Sequence, residues 1–196
     1  MTDYPRKQFY QSKAVAESYH GERFTHRRGI QRDKALRKAL ARALQCTPDV
    51  RTVLDLPCGA GRFTDFFCER DLAYFGTDVA HEMMEVLRRA HSARSLQSKL
   101  IQSDGELLPF KDNAFDCVVS IRLFQLIPKE AKTAILKEMW RVSRKWLIVE
   151  RMYAQSMRDF GRARYLLCKI LGRESELPVL DREIVNAGWK EFKRIP

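Results

Sequence analysis

Apolar residues recur at helical spacing in IQRDKALRKALARALQ, residues 30–45, where Ile30, Leu36, Ala39, Leu40, Ala43 and Leu44 share one stripe and Arg and Lys occupy the opposite side. This predicts an amphipathic helix. The pattern then changes: VRTVLDL has the apolar, β-branched run of a buried strand, PCGAG is a glycine-bearing turn, and RFTDFFCER resumes helical spacing. AYFGTDV predicts a second strand, EMMEVLRRAHSARSL a helix with Met83, Met84, Leu87 and Ala90 inward, and KLIQSD a third strand. After the turn-rich link LPFKDNAF, FDCVVSI predicts a fourth strand. PKEAKTAILKEMWRVS is a helix opened by Pro128, with Ile135, Leu136, Met139 and Trp140 on its apolar side, and it leads into a fifth strand, KWLIVE. Residues 152–171 are helical in pattern, REIVNAG is a short helix closed by Gly188, and WKEFKRI alternates like a sixth strand. Strands alternating with helices predict an α/β fold, a doubly wound and mostly parallel sheet with ligands at the carboxyl ends of its strands.

The 196 residues suit a single domain. Its expected parts are an N-terminal helical cover (1–45), a core (46–150), a basic helical insertion after the fifth strand (151–180) and a final helix and strand (181–196). A composition of 45% apolar and 31% charged residues is that of a globular chain, and no apolar run approaches the roughly 18 residues of a membrane span. MTDYPRKQFYQSK has no apolar core of a signal peptide, so the expected location is the cytoplasm. Five cysteines without a CxxC pair and four histidines without HxxxH or HExxH spacing predict neither a disulfide framework nor a metal site. The net charge of +11 is unevenly spread: residues 1–45 carry +7 and residues 151–173 carry +5, whereas residues 46–150 balance 15 basic against 15 acidic side chains. Such segments suit an anionic partner (nucleic acid, a phosphorylated small molecule or an anionic lipid surface), and solubility alone would also tolerate them.

The strongest chemical signal is VLDLPCGAGRF. Glycines after a buried strand let backbone approach a ligand closely, and the next helix offers its positive end. Asp78 ends the following strand 19 residues after Gly59, where a carboxylate can accept both hydroxyls of a ribose. The bland alternative is that the glycines serve only the turn and Asp78 caps a helix. A dinucleotide would want a third glycine for its pyrophosphate, and Phe63 or Thr64 stands there instead. The third strand ends in Ser103-Asp104-Gly105-Glu106, whose carboxylate and backbone suit the edge of an adenine. An adenosine without phosphates fits best.

With these features the chain, over roughly residues 15–195, resembles the class I S-adenosylmethionine-dependent methyltransferases, specifically the small-molecule type that includes the ubiquinone and menaquinone methyltransferases. GTDVAHEMMEVLRR, SDGELLPFKDNAFDCVVS and LKEMWRVSRKWLIVE match that family's further blocks. The resemblance implies S-adenosyl-L-methionine as cofactor and Asp55, Pro57, Cys58, Gly59, Gly61, Asp78, Val79, Met83, Asp104, Gly105, Glu106 and Ser120 as the residues around it. Within that set the loop from Asp55 to Gly61 would touch the methionine part, Asp78 the ribose and Asp104 the adenine. Pro57 departs from the family's usual first glycine, and Phe124 and Gln125 stand where relatives often carry histidine, which removes a histidine base from that loop. The chain ends after the expected sixth strand, leaving the family's seventh absent or beyond it.

The activity implied is methyl transfer to a small or anionic acceptor by in-line displacement, for which alignment and water exclusion count most and a dedicated base is dispensable. If a base exists, His20 or Tyr19 is the candidate, from a cluster with Arg23, Phe24 and His26; the resemblance implies that an N-terminal tyrosine or arginine closes over the cofactor. Arg122 suits the orienting of an anionic acceptor. Residues 152–172 could alternatively lie on anionic lipid as a basic amphipathic helix. Competing readings are an RNA methyltransferase, a non-catalytic nucleic-acid-binding relative that keeps the cofactor site, and a nicotinamide-dependent oxidoreductase, the last disfavoured by the incomplete glycine fingerprint.

Overall fold

A computed structural model describes residues 2–24, 26–47, 49–92, 99–152, 163–169 and 193–194, except for the side chains of residues 6, 20–24 and those after 150. Three helices come first: α1 (Pro5–Tyr10), α2 (Lys13–Phe24) and α3 (Arg27–Gln45). The alternation follows as β1 (Thr52–Asp55), α4 (Thr64–Cys68), β2 (Ala73–Asp78), α5 (His81–Ala90), β3 (Leu100–Gln102), β4 (Phe115–Ser120), α6 (Lys129–Val142) and β5 (Ser143–Met152). Two more strands, β6 (Ala163–Lys169) and β7 (Lys193–Arg194), complete a seven-stranded sheet of order β3-β2-β1-β4-β5-β6-β7. The first five strands are parallel, β6 runs antiparallel to β5, and β7 antiparallel to β6. Among the described residues no helix is long and apolar enough to cross a membrane.

The alternation of side chains along β1, β4 and β5 divides the core into two layers. Val53, Cys117, Val119 and Ile148 meet Leu36, Leu40 and Ala43 of α3, Phe66 and Phe67 of α4, and Met84 and Leu87 of α5 on one face. Leu54, Val118, Leu147 and Val149 meet Ala131, Ile135, Leu136 and Met139 of α6 on the other. Burial on both faces is why these strands read as continuous apolar runs. Asp116 anchors their amino ends, accepting from the Arg51 and Thr52 backbone N–H groups at 3.1 Å and from Arg144 Nη1 at 2.9 Å. Arg141 of α6 secures the link before β4 by donating to the carbonyls of Leu108 and Phe110.

Three sequence expectations change. Residues 163–169, expected within the basic helical insertion, form β6, whose backbone pairs with β5 from Trp146↔Lys169 to Met152↔Ala163. A strand edge as long as β5 exposes a row of N–H and C=O groups, and pairing them outweighs the local helical pattern. With β6 the sheet has, among the described residues, seven strands where six were expected. The remainder of the proposed insertion and the REIVNAG helix lie outside the described residues. Ile30 and Ala90 also leave their expected apolar stripes. Ile30 is 41% exposed because α3 reaches the sheet only from Leu36 onward, and Ala90 sits exposed at the last position of α5.

Candidate functional site

The strand order reverses direction of growth between β1 and β4, so their carboxyl ends diverge and open a crevice. The loop after β1 forms its floor. Gly59 and Gly61 adopt φ of +52° and +83°, a left-handed backbone that costs a side-chain-bearing residue on the order of 1–2 kcal/mol. Their uses differ. A Cβ on Gly59 would find only Asp78 Oδ2, 4.0 Å away, so this position faces open space beside the carboxylate. A Cβ on Gly61 would come within 2.7 Å of Leu87 Cγ, which makes Gly61 the point where the loop packs on α5.

Asp78, at the end of β2, is 6% exposed and lines the crevice. Its Oδ2 accepts the Gly59 N–H at 2.8 Å and its Oδ1 the Ala80 N–H at 2.9 Å. Burial raises its pKa in spite of these two bonds. Each oxygen keeps a lone pair, so the carboxylate is fixed in place yet able to accept a pair of hydroxyls. Beneath the loop, Asp55 accepts from the Tyr74 hydroxyl at 3.3 Å, and burial, with the Asp78 charge adding, pushes its pKa up to about 8.

The N-terminal helices close the crevice from above. Ala16 of α2 packs with Ala60, Ala80 and Met83, and Tyr19 lies edge-on to Tyr10 with ring centroids 6.2 Å apart. From α1, Tyr4, Lys7 and Tyr10 line the cavity, and Lys7 forms an ion pair with Asp104. Thr2 N–H donates to both oxygens of Glu106 at 3.0 Å. The chain's beginning is thereby tied to the end of β3. Arg62 is held by Asp33 of α3 at 2.7 Å, and Arg37, which also meets Asp33 at 2.7 Å, donates to the Arg62 carbonyl. Burial alone would raise the Asp33 pKa, but hydrogen bonds from Arg37 and Arg62 bring it below the usual carboxylate range.

Of the residues singled out from the sequence, Tyr19, Pro57, Cys58, Gly59, Asp78, Val79, Met83 and Arg122 come together around this cavity. Asp55, Gly61, Asp104, Gly105, Glu106 and Ser120 do not line it. Gly105 is buried, where a Cβ would stand 3.3 Å from Ile135 Cγ1, and Ser120 is buried at the end of β4. The His20 side chain lies outside the described residues. His26 is exposed at the start of α3, and Phe124 is buried against α6. Residues not anticipated are Tyr4, Lys7, Tyr10, Arg62 and Phe63, together with the apolar wall of Ile121, Leu123, Leu126 and Ile127. Tyr4, Lys7 and Tyr10 recur every three residues, a spacing that marks one helical face.

Residues 53–145, spanning the glycine loop, the Asp78 strand and the β4 crevice, match the methyltransferase domain family. Over this span the chain is similar to class I S-adenosylmethionine-dependent methyltransferases. It is 33% identical over 108 residues to the demethylmenaquinone methyltransferase of Thermus thermophilus, covering 54% of this chain and 47% of that one. A phosphatidylethanolamine N-methyltransferase of Cereibacter sphaeroides is 33% identical over 95 residues, covering 47% and 45%. The chain thus spans about half the length of these curated relatives. Its fold is shared by the magnesium protoporphyrin IX methyltransferase of Synechocystis, solved with bound S-adenosylmethionine. That likeness has a TM-score of 0.61 at 12% identity and covers 79% of this chain and 80% of that one.

The domain's residues fit the cofactor this family uses. A doubly anchored, buried carboxylate faces a cavity with apolar and aromatic walls, and the adjoining Gly59 position has no side chain to fill the space. That combination suits a ribose diol joined to an uncharged base better than a row of phosphates, which would demand several backbone N–H donors.

Proposed function

We propose that this chain transfers the methyl group of S-adenosylmethionine to a small acceptor with an apolar body. The observation that carries the reading is one cavity lined by Asp78 and Gly59 and also by the apolar Ile121, Leu123, Leu126 and Ile127. When bound, the cofactor supplies an already activated methyl on a sulfonium centre. Asp78 would accept the ribose hydroxyls, and Lys7, which lines the cavity, is ion-paired with Asp104 next to it. Tyr4, Tyr10 and Tyr19 cover the crevice, and the residues after β4 offer the acceptor a wall without competing nucleophiles. The protein's contribution is alignment and exclusion of water, which together suffice for a displacement at an activated carbon. That the relatives act on menaquinone precursors and on phosphatidylethanolamine supports a lipid-like or quinone-like acceptor.

The test is incubation of the chain with methyl-labelled cofactor and a cell extract divided into organic-soluble, aqueous small-molecule and nucleic-acid fractions. Label should accumulate in the organic-soluble fraction and be unaffected by nuclease. Label that enters the nucleic-acid fraction and vanishes on nuclease treatment would replace this acceptor class with RNA.

A further inference from the structure

β4 and β5 pair in register through Ser120↔Val149, so the next residue of β5, Glu150, stands at the rim of the crevice beside the loop that leaves β4. Glu150 is 3% exposed, and its Oε2 accepts the backbone N–H of Arg122 at 2.8 Å. Burial raises the pKa of its carboxyl, with Arg122 and Arg62 pulling the other way. Arg122 itself has φ of +61°. A left-handed backbone in that loop favours glycine, and a long charged side chain there is held against its local preference. The side chain is not idle: Arg122 lines the cavity next to Ile121 and Leu123, and among the described residues no carboxylate lies within ion-pair distance of its guanidinium. Arg62, the neighbouring guanidinium, is by contrast tied to Asp33.

We propose that Arg122 is the residue that recognises the acceptor, through an anionic head group, and that Glu150 is a positioning residue that fixes the Arg122 backbone so that the guanidinium projects into the cavity. The acceptor is then an amphiphile with one acidic group and an apolar body lying on Ile121, Leu123, Leu126 and Ile127. This rests on the methyltransferase reading of the same cavity. A planar guanidinium meets an anionic oxygen pair with two parallel hydrogen bonds, an arrangement that orients the acceptor as well as binding it.

Two probes with one fused-ring body test this by calorimetry on the protein saturated with S-adenosylhomocysteine: naphthoate, which is anionic, and naphthylmethanol, which is neutral. The wild type should prefer naphthoate about tenfold. Arg122→Gln should abolish that preference and leave S-adenosylhomocysteine affinity unchanged, and Arg122→Gly should do the same with a melting temperature equal to or above the wild type's. Glu150→Ala should weaken naphthoate binding several-fold and spare naphthylmethanol, whereas Glu150→Gln, whose amide oxygen still accepts the Arg122 N–H, should restore it. A residue with a merely structural role would not move the ratio of the two probes. If Glu150→Ala does not fold, the two Arg122 variants decide. No naphthoate binding by the wild type, no preference over naphthylmethanol, or a preference that survives Arg122→Gln overturns the proposal. Failure of the wild type to bind S-adenosylhomocysteine would overturn the cofactor reading beneath it.

Discussion

Asp55 and Asp78 are two buried carboxylates under one loop, and their surroundings give them different tasks. Asp78 has two backbone N–H donors and faces the cavity, so it can serve as an acceptor for hydroxyls. Asp55 is fully buried and, among the described residues, has only the Tyr74 hydroxyl as partner, and its pKa of about 8 keeps it largely protonated at neutral pH, sparing the loop a second negative charge. The sign of its linkage follows. The folded state holds a proton that the unfolded chain, with an aspartate pKa near ~4, releases, so stability is fully present below pH ~4, falls as pH rises, and levels off above about 8. Asp55→Asn should therefore melt much like the wild type at low pH and gain on it steadily across that window, by on the order of 1 kcal/mol per pH unit. Thermal melts at several pH values check this, and parallel curves would mean that Asp55 does not titrate there. The sequence marked Asp78 because a carboxylate closing the strand after a glycine loop has a fixed place in this architecture. It could not mark Glu150, whose partner is a backbone N–H 28 residues earlier and becomes a neighbour only through the β4–β5 register.

Among the elements, β1 to β5 and the helices between them were legible because apolar periodicity changes cleanly from strand to helix. β6 was not, since ARYLLCK fits a helical stripe as well as a strand and only the unpaired edge of β5 decides. The six-residue α1 was not read as a helix, although its cap Tyr4 and its Lys7 and Tyr10 share one face at three-residue spacing and line the cavity. Burial and the nearby Asp104, Glu106 and Asp78 charges push the Tyr4 hydroxyl pKa up to about 12, so it remains a neutral donor throughout the working range. The helix is docked by the Lys7–Asp104 pair and the Thr2–Glu106 bonds, together with the packing of Tyr4 and Tyr10 against the core. Lys7→Glu, which sets like charges against each other at Asp104, should free α1. The expected results are cofactor affinity several-fold weaker and faster tryptic cleavage within residues 1–13, with an unchanged melting temperature for the rest. Equal affinity and equal cleavage would show that α1 is not a wall of the site.

At the scale of the whole molecule, charge is unevenly spread along the chain. Residues 46–150, which carry the parallel strands, are balanced, while the exposed face of α3 carries Arg27, Arg28, Arg32, Lys34 and Lys38. The second basic segment falls largely outside the described residues, so its part in the cover stays an expectation of composition. We propose that the cavity at the carboxyl ends of the parallel strands takes an adenosine-bearing cofactor, with Asp78 accepting its ribose hydroxyls. Calorimetric titration of the wild type and Asp78→Ala with S-adenosylhomocysteine and with NAD tests this most directly. The account predicts micromolar binding of S-adenosylhomocysteine, a loss of roughly 10–100-fold in Asp78→Ala, equivalent to ~1.5–3 kcal/mol, and negligible binding of NAD. Equal affinity in the two proteins, or NAD bound as tightly as S-adenosylhomocysteine, would contradict it.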